Sequence, residues 1–285
     1  MTIINKIKGF YQLFRLELPF AAGICVIAGE LIAKGSSIYI HELLMGFFVG
    51  FFISSSALIL NDYFDIESDK INSPTRPLPS GKVKPTEVIL LTIITTSIGL
   101  IIALLISIIA FIIGIVFWII GFLYNWKFKE TGLLGNIMVS SSVAITFIFG
   151  GIAVGQPWNK IVWFFGLFVF FIDLGEEIAS GAMDEKGDKK RNSKSIAITK
   201  GKDYAIRISS SLFILVILIS FIPYILQWLG ITYLIMIAIM DTIIIFSTFK
   251  LLISKTPKEG RLYLRLIYLG ATISLLAFII GQFIV

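Results

Sequence analysis

The chain is poor in charge, cysteine and histidine. Only 15% of its 285 residues are charged, where a soluble domain carries about a quarter. The one cysteine, Cys25, rules out an intrachain disulfide. The one histidine, His41, stands in a short connection far in sequence from any acidic cluster, which argues against a catalytic or metal-binding histidine. The first apolar run is long and lacks a small-residue cleavage site, so no cleavable signal peptide is expected.

What the chain has in abundance is apolar sequence. Hydrophobic residues make up 57%, mean hydropathy is +0.94, and runs near twenty apolar residues recur from end to end, as a helical membrane protein requires. Nine spans are predicted, at about 11–33, 40–61, 86–105, 108–126, 132–154, 160–182, 203–227, 229–253 and 261–284. The third and fourth form one apolar stretch from Val88 to Tyr124. At 1.5 Å per residue it is too long for one crossing, so it must turn with almost no loop. The expected fold is all-α and polytopic: nine transmembrane helices bundled around a central cavity, two four-helix halves plus one helix, in a single domain over residues 1–285.

The net charge of +6 belongs to this topology. Of the 24 lysines and arginines, all but Lys34 and Lys160 fall in connections on one side. That bias places the N-terminus and the long loops in the cytoplasm. It also accounts for the positive charge without nucleic acid.

Two acidic clusters stand out, each following an apolar span on that same side, with four spans between them. The first is Asn61-Asp62-Tyr63-Phe64-Asp65-Ile66-Glu67-Ser68-Asp69. On a helix, Asn61, Asp65 and Asp69 make one stripe flanked by Asp62. Acids so placed repel unless a cation sits among them, and Mg²⁺ with oxygen ligands and substrate phosphates fits. The competing reading is a solvated acidic helix end. Pro74-Thr75-Arg76-Pro77-Leu78-Pro79-Ser80-Gly81 follows; its prolines exclude a regular helix and predict a semi-rigid loop over the acidic face. Arg76 there suits bidentate contact with phosphate.

The second cluster runs from Glu176-Glu177 to Asp184 and Asp188, with Gly181 leaving space between, and leads into Lys189-Lys190-Arg191. Glu177, Asp184 and Asp188 share a helix face. A basic cluster attracted to anionic lipid is the alternative. Tyr124, Lys127 and Lys129 read as interface aromatic and orientation signals, with a phosphate role open for one lysine. Asn136 and Ser140, one turn apart, suit helix packing. Asp173 and Asp241 lie inside apolar spans, where a carboxylate is costly unless paired or facing water. Asp173, one turn before Glu177, extends a polar wall; Asp241 has no partner evident in the sequence.

These residues resemble the UbiA superfamily of intramembrane prenyltransferases. The match is Asn61-Asp62-x-x-Asp65-x-x-x-Asp69, with Asn72, Arg76-Pro77 and Pro79-Ser80-Gly81 downstream, then Asp184-x-x-Gly187-Asp188. Asp188-Lys189-Lys190-Arg191 and the form of the first motif are most similar to archaeal digeranylgeranylglyceryl phosphate synthases. The chain departs from the pattern where the family carries Arg-Pro-x-Asn in its first helix. Here that stretch reads Leu18-Pro19-Phe20-Ala21, leaving Arg15 or Glu17 as nearby polar substitutes. The Arg-Glu opening of the family's second motif reads Glu176-Glu177, and its later Lys-Asp pair reads Ser180-Gly181.

The resemblance implies Mg²⁺-dependent transfer of a geranylgeranyl group from its diphosphate to the hydroxyl of geranylgeranylglyceryl phosphate, forming an ether. Metal ligands would be Asn61, Asp62, Asp65, Asp69, Asp184 and Asp188, the five aspartates being the catalytic set. Substrate contacts would come from Arg76, Tyr124, Lys127, Lys129, Asn136, Glu177, Lys189, Lys190 and Arg191. The implied partners are an isoprenyl diphosphate, a lipid-phosphate acceptor and membrane lipid, with no nucleic acid and no protein partner. The enzyme is expected in the cell membrane with its active site cytoplasmic. An aromatic acceptor, or a divalent-cation or anionic-lipid transporter, are the rival readings. Against the transporter, the acids stand at helix ends and not at the bilayer midplane.

Overall fold

A computed structural model describes residues 3–184 and 193–284. Asp188, Lys189, Lys190 and Arg191 of the second motif lie outside the described residues. The described elements are helical, as lipid demands of backbone that must pair internally. The long helices fall into two compact units, residues 1–127 with 146–158, and residues 128–145 with 159–285.

The first unit opens with α1 (Ile3–Phe14), α2 (Glu17–Lys34) and α3 (Ile40–Phe64). The short α4 (Ile66–Asn72), α5 (Pro85–Ile106) and α6 (Ile108–Leu123) follow, and α6 ends in a π-helical turn, Tyr124–Phe128. Helix α3 packs against α2, α5 and α6, with α1 laid against it. The predicted first span, from residue 11, is corrected here. The helix breaks at Arg15, whose φ of 43° no regular helix accommodates, and the apolar span begins at Glu17. Helix α1 is amphipathic, with Gly9 and Leu13 buried and Ile7 and Tyr11 exposed.

The turn expected inside the Val88–Tyr124 stretch consists of one residue. Ser107 alone leaves helical geometry (φ −170°, ψ 162°), and its side chain accepts from Ala110 N at 3.1 Å. Neither proline nor glycine is needed, because the hydroxyl replaces the missing carbonyl partner of the first turn.

Helix α7 (Leu133–Ala153) gives residues to both units. The second unit continues with α8 (Lys160–Met183), α9 (Ile196–Lys200), α10 (Lys202–Ser220), α11 (Ile222–Ile225), α12 (Ile231–Leu252) and α13 (Pro257–Ile284). Helix α8 packs against α9, α10 and α13, and α12 against α10 and α13. Where α8 crosses α10, Ser209 Oγ donates to Gly175 O at 2.5 Å. Asp241, without an evident partner in sequence, has one here: its Oδ2 accepts from Ser220 Oγ at 2.8 Å, while Tyr233 Oη donates to Ser220 O at 2.6 Å. That ring fastens the end of α10 to α12.

Among the described residues eight helices, α2, α3, α5, α6, α7, α10, α12 and α13, are long and apolar enough to cross a membrane. The remaining span of the sequence reading, α8, has 24 residues but carries Lys160, Asp173, Glu176 and Glu177, more charge than a purely lipid-facing helix tolerates. The protein is an integral, multi-pass, all-helical membrane protein.

The Ser107 break yields a test. Ser107→Ala should cost about 1 kcal/mol and Ser107→Gly only a few tenths, read as shifts in the unfolding temperature of the detergent-purified protein. Equal shifts would show that the hydroxyl does not cap α6.

Candidate active site

The first acidic motif occupies the end of α3 and the start of α4. Asp65 separates them (φ −87°, ψ 1°), so the expected single helical stripe is interrupted for one residue. The four-residue backbone spacing persists, since Asp65 N donates to Asn61 O at 2.9 Å and Asp69 N to Asp65 O at 2.8 Å. The side chains diverge nonetheless. Asn61, expected among metal ligands, donates through Nδ2 to Asn125 Oδ1 at 2.7 Å, and Asn125 donates to Ala57 O at 3.0 Å. Asn61 thus ties α3 to the π-helical turn.

Asp62 is 3% exposed and is paired with Arg15. Arg76 Nη1 lies 2.6 Å from Asp69 Oδ2 and 3.7 Å from Asp62 Oδ1. Two guanidinium groups therefore stand among two of the carboxylates. An isolated buried charge would cost several kcal/mol, and pairing is what permits it here. Arg15 reaches this position because the chain breaks there between α1 and α2; Glu17, the other nearby polar residue, is exposed.

The predicted proline loop does fold over the acidic face. Leu78 and Val83 sink into a core with Leu13, Ile59 and Val88, flanked by Phe10, Phe14 and Tyr63. Gly81 turns the chain at φ 72°, a conformation glycine adopts without strain. Lys82 Nζ donates to Thr75 O at 3.3 Å, and Lys6 pairs with Glu87 at 2.5 Å, fastening α1 to α5. Between these elements lies a pocket of about 210 Å³ lined by Gln12, Arg15, Asp62, Thr75, Arg76 and Pro77. Its donors are two guanidinium groups, an amide and a hydroxyl, a set suited to phosphate oxygens. Gln12 and Thr75 were missed in the sequence because nothing in their spacing marks them.

Among the described residues no three His, Cys, Asp or Glu side chains gather as a metal-holding group. Asp62 and Asp69 converge on Arg76, which takes the place a cation would otherwise fill. The donors themselves, carboxylates and nothing softer, match a hard divalent cation.

In the second unit, Asp184 terminates α8, its backbone N donating to Ser180 O at 2.9 Å. It is half-exposed, and Arg261 Nη2 lies 3.7 Å away. Helix α13 begins close against α8 because residue 260 is glycine; a Cβ there would strike Met183. Lys194 N donates to Glu130 O at 2.9 Å, and Gly132, at φ 74°, lets the chain at Lys194 pass directly over it. The segment that follows the second motif is thereby pinned beside the start of α7. Of the remaining predicted contacts, Tyr124 and Lys127 belong to the π-helical turn, with Lys127 exposed. Lys129 is half-buried, and Asn136 and Glu177 are half-buried on α7 and α8. Glu176 accepts from Ser180 Oγ at 2.8 Å, and Asp173 accepts from Tyr268 Oη at 2.7 Å.

Residues 22–277 match the model of the UbiA prenyltransferase family. The chain belongs to that family. This UbiA prenyltransferase is 37% identical over 280 residues to the digeranylgeranylglyceryl phosphate synthase of Methanocaldococcus jannaschii, covering 98% of each chain. It also superposes on a solved structure of a digeranylgeranylglyceryl phosphate synthase with a TM-score of 0.86 and 35% identity, covering 98% of this chain and 99% of that one. A UbiA homolog from Archaeoglobus fulgidus, solved with geranyl diphosphate (GPP) and Mg²⁺, has the same fold, with a TM-score of 0.71 and 17% identity over 97% of this chain and 100% of that one.

The buried pair provides a stability test. Arg15→Met should lower the unfolding free energy by about 2–3 kcal/mol by leaving Asp62 to Arg76 alone. Adding Asp62→Asn should recover most of that loss in a double-mutant cycle. Additive losses would mean that the two side chains do not interact.

Proposed function

We propose that this prenyltransferase joins a geranylgeranyl group, taken from geranylgeranyl diphosphate, to the hydroxyl of geranylgeranylglyceryl phosphate, forming the ether of an archaeal membrane lipid. The likeness to the M. jannaschii synthase over nearly the full length of both chains carries this reading. The guanidinium-lined pocket supports it, since both substrates present phosphate.

In this reading Arg15 and Arg76 hold diphosphate oxygens and stabilise the charge that develops there as the C1–O bond breaks. Arg15 is paired with Asp62 and Arg76 with Asp69, pairs that would be exchanged as the carboxylates take up Mg²⁺ and the guanidinium groups take up diphosphate. Asn61, Asp62, Asp65, Asp69, Asp184 and Asp188 would hold Mg²⁺, with Lys127, Lys129, Lys189, Lys190 and Arg191 adding positive charge around the leaving group. The ion supplies Lewis-acid neutralisation of the diphosphate. Tyr124, Asn136 and Glu177 would contact substrate. An allylic cation is quenched by water, and the apolar helices around the reacting carbon exclude it. The lysine and arginine bias supports a cytoplasmic side for the acids and for the N-terminus.

Purified protein supplied with geranylgeranyl diphosphate, Mg²⁺ and geranylgeranylglyceryl phosphate should yield the diether phosphate by mass spectrometry; an aromatic acid in place of the glyceryl phosphate should not react. Asp65→Ala and Asp184→Ala should each lower turnover about a hundredfold or more while leaving a folded, membrane-inserted protein, and a chelator should abolish it. Product from the aromatic acceptor alone would replace the assigned acceptor, and unchanged turnover in both variants would remove the assigned site.

A further inference from the structure

Ether formation releases a proton from the acceptor hydroxyl, and none of the residues assigned above receives it. Within the second unit three carboxyl groups, Asp173, Glu176 and Glu177, stand on adjacent turns of α8. They differ in what holds them. Glu176 is bound by Ser180 of its own helix, and Glu177, like Glu176, is less buried than Asp173. Asp173 is 6% exposed and is fixed from another helix: Tyr268 of α13 donates to its Oδ1 at 2.7 Å. Its second oxygen, Oδ2, is buried without a hydrogen-bond partner.

Ser140 of α7 lies beside the same carboxyl. Its hydroxyl is fully buried and makes no hydrogen bond of normal geometry. Asp173 Oδ2 and Ser140 Oγ, from separate helices, thus meet inside a membrane-spanning unit with no partner other than each other. Burying such groups without a well-formed hydrogen bond costs about 1–3 kcal/mol, and intramembrane acids of this kind mark substrate or proton paths. Asp173 and Ser140 each lie one turn along their helices from Glu177 and Asn136, the two residues of this unit assigned above to substrate.

We propose that Asp173 is the proton acceptor of the transfer, oriented by Tyr268, with the acceptor hydroxyl bound between Asp173 Oδ2 and Ser140 Oγ. The inference rests on the reading of the function given above. The acceptor O–H bond breaks and its proton passes to Oδ2; the oxygen electron pair forms the new bond to C1. The C1–O bond to diphosphate breaks, and its pair leaves with diphosphate. Asp173 ends as a carboxylic acid, to be deprotonated before the next turnover. An oxygen oriented by a third group while its twin faces the reacting proton is the arrangement general-base catalysis needs. Tyr268 acts through Asp173 and is a positioning residue.

The test measures two products from geranylgeranyl diphosphate in the wild type, Asp173→Asn and Tyr268→Phe: the ether, and geranylgeraniol formed when water captures the cation. Asp173→Asn should reduce ether formation about a hundredfold or more, with donor binding unchanged and geranylgeraniol still released. Tyr268→Phe should lower kcat for the ether about tenfold with KM for both substrates unchanged. Asp173→Glu should recover part of the ether. Ether formation at the wild-type rate in Asp173→Asn overturns the proposal, as does equal loss of both products with donor binding intact. If Asp173→Asn also loses donor binding, Tyr268→Phe decides: a raised ratio of geranylgeraniol to ether supports the assignment, and an unchanged ratio rejects it. A wild-type protein that forms no ether would instead refute the assigned reaction.

Discussion

The carboxylate of Asp62, 3% exposed at the end of a membrane helix, sets the terms for the whole first unit. Left alone, such a charge would cost several kcal/mol, so the chain must deliver a cation to it. Arg15 comes from 47 positions away, and Arg76 from the proline loop. One consequence is the break after α1. A non-glycine residue at φ 43° carries strain of about 1–3 kcal/mol, which the contact with Asp62 offsets. Another is that α1, the end of α3, α4 and the loop to α5 behave as one charged assembly and not as four loose connections at a membrane surface.

Polar groups inside the second unit obey the same rule with a different outcome. Asp241 is bound by Ser220, and Ser220 is bound in turn by Tyr233, so the hydrogen bonds close a ring between the end of α10 and its neighbour α12. No other acid stands beside Asp241 in sequence, and the ring serves packing. Asp173 is held as firmly by Tyr268, but it stands on one turn-spaced wall with Glu176 and Glu177. An unbonded oxygen there lies beside Ser140, whose hydroxyl is also unbonded. The two aspartates are similarly buried, and each has one oxygen without a hydrogen bond of normal geometry; their neighbours separate a helix tie from a candidate base.

Much of this was legible in the sequence because lipid simplifies the problem. Apolar runs marked each long helix, and the excess length from Val88 to Tyr124 required a turn, though only the structure locates it at Ser107. The prolines at 74, 77 and 79 foretold a loop over the acids, and Arg76 does reach Asp69. What escaped was whatever depends on contacts distant in sequence. Asn61 has the spacing of a ligand, and its amide nitrogen also donates to Asn125, 64 positions on. Tyr268 finds Asp173 across 95 positions. The break at Arg15 left no trace in hydropathy, because a single residue of positive φ changes a helix's direction without changing its composition.

The construction of the loop bearing Arg76 also bears on how the proposed chemistry would be driven. A guanidinium on a mobile surface loop would lose side-chain and backbone freedom each time it met diphosphate, cancelling much of its worth. Here Pro74, Pro77 and Pro79 restrict the backbone. Leu78 and Val83, 4% and 2% exposed, are anchored in a core that includes Leu13 and Ile59, and Asp69 fixes the guanidinium itself. The ordering is thus done at folding, driven by burial of apolar side chains, and not at the moment of reaction. Preorganised charge of this kind stabilises a leaving group more than a flexible lysine would. In the proposed reaction the apolar anchors of the loop would therefore serve catalysis as much as the arginine they carry.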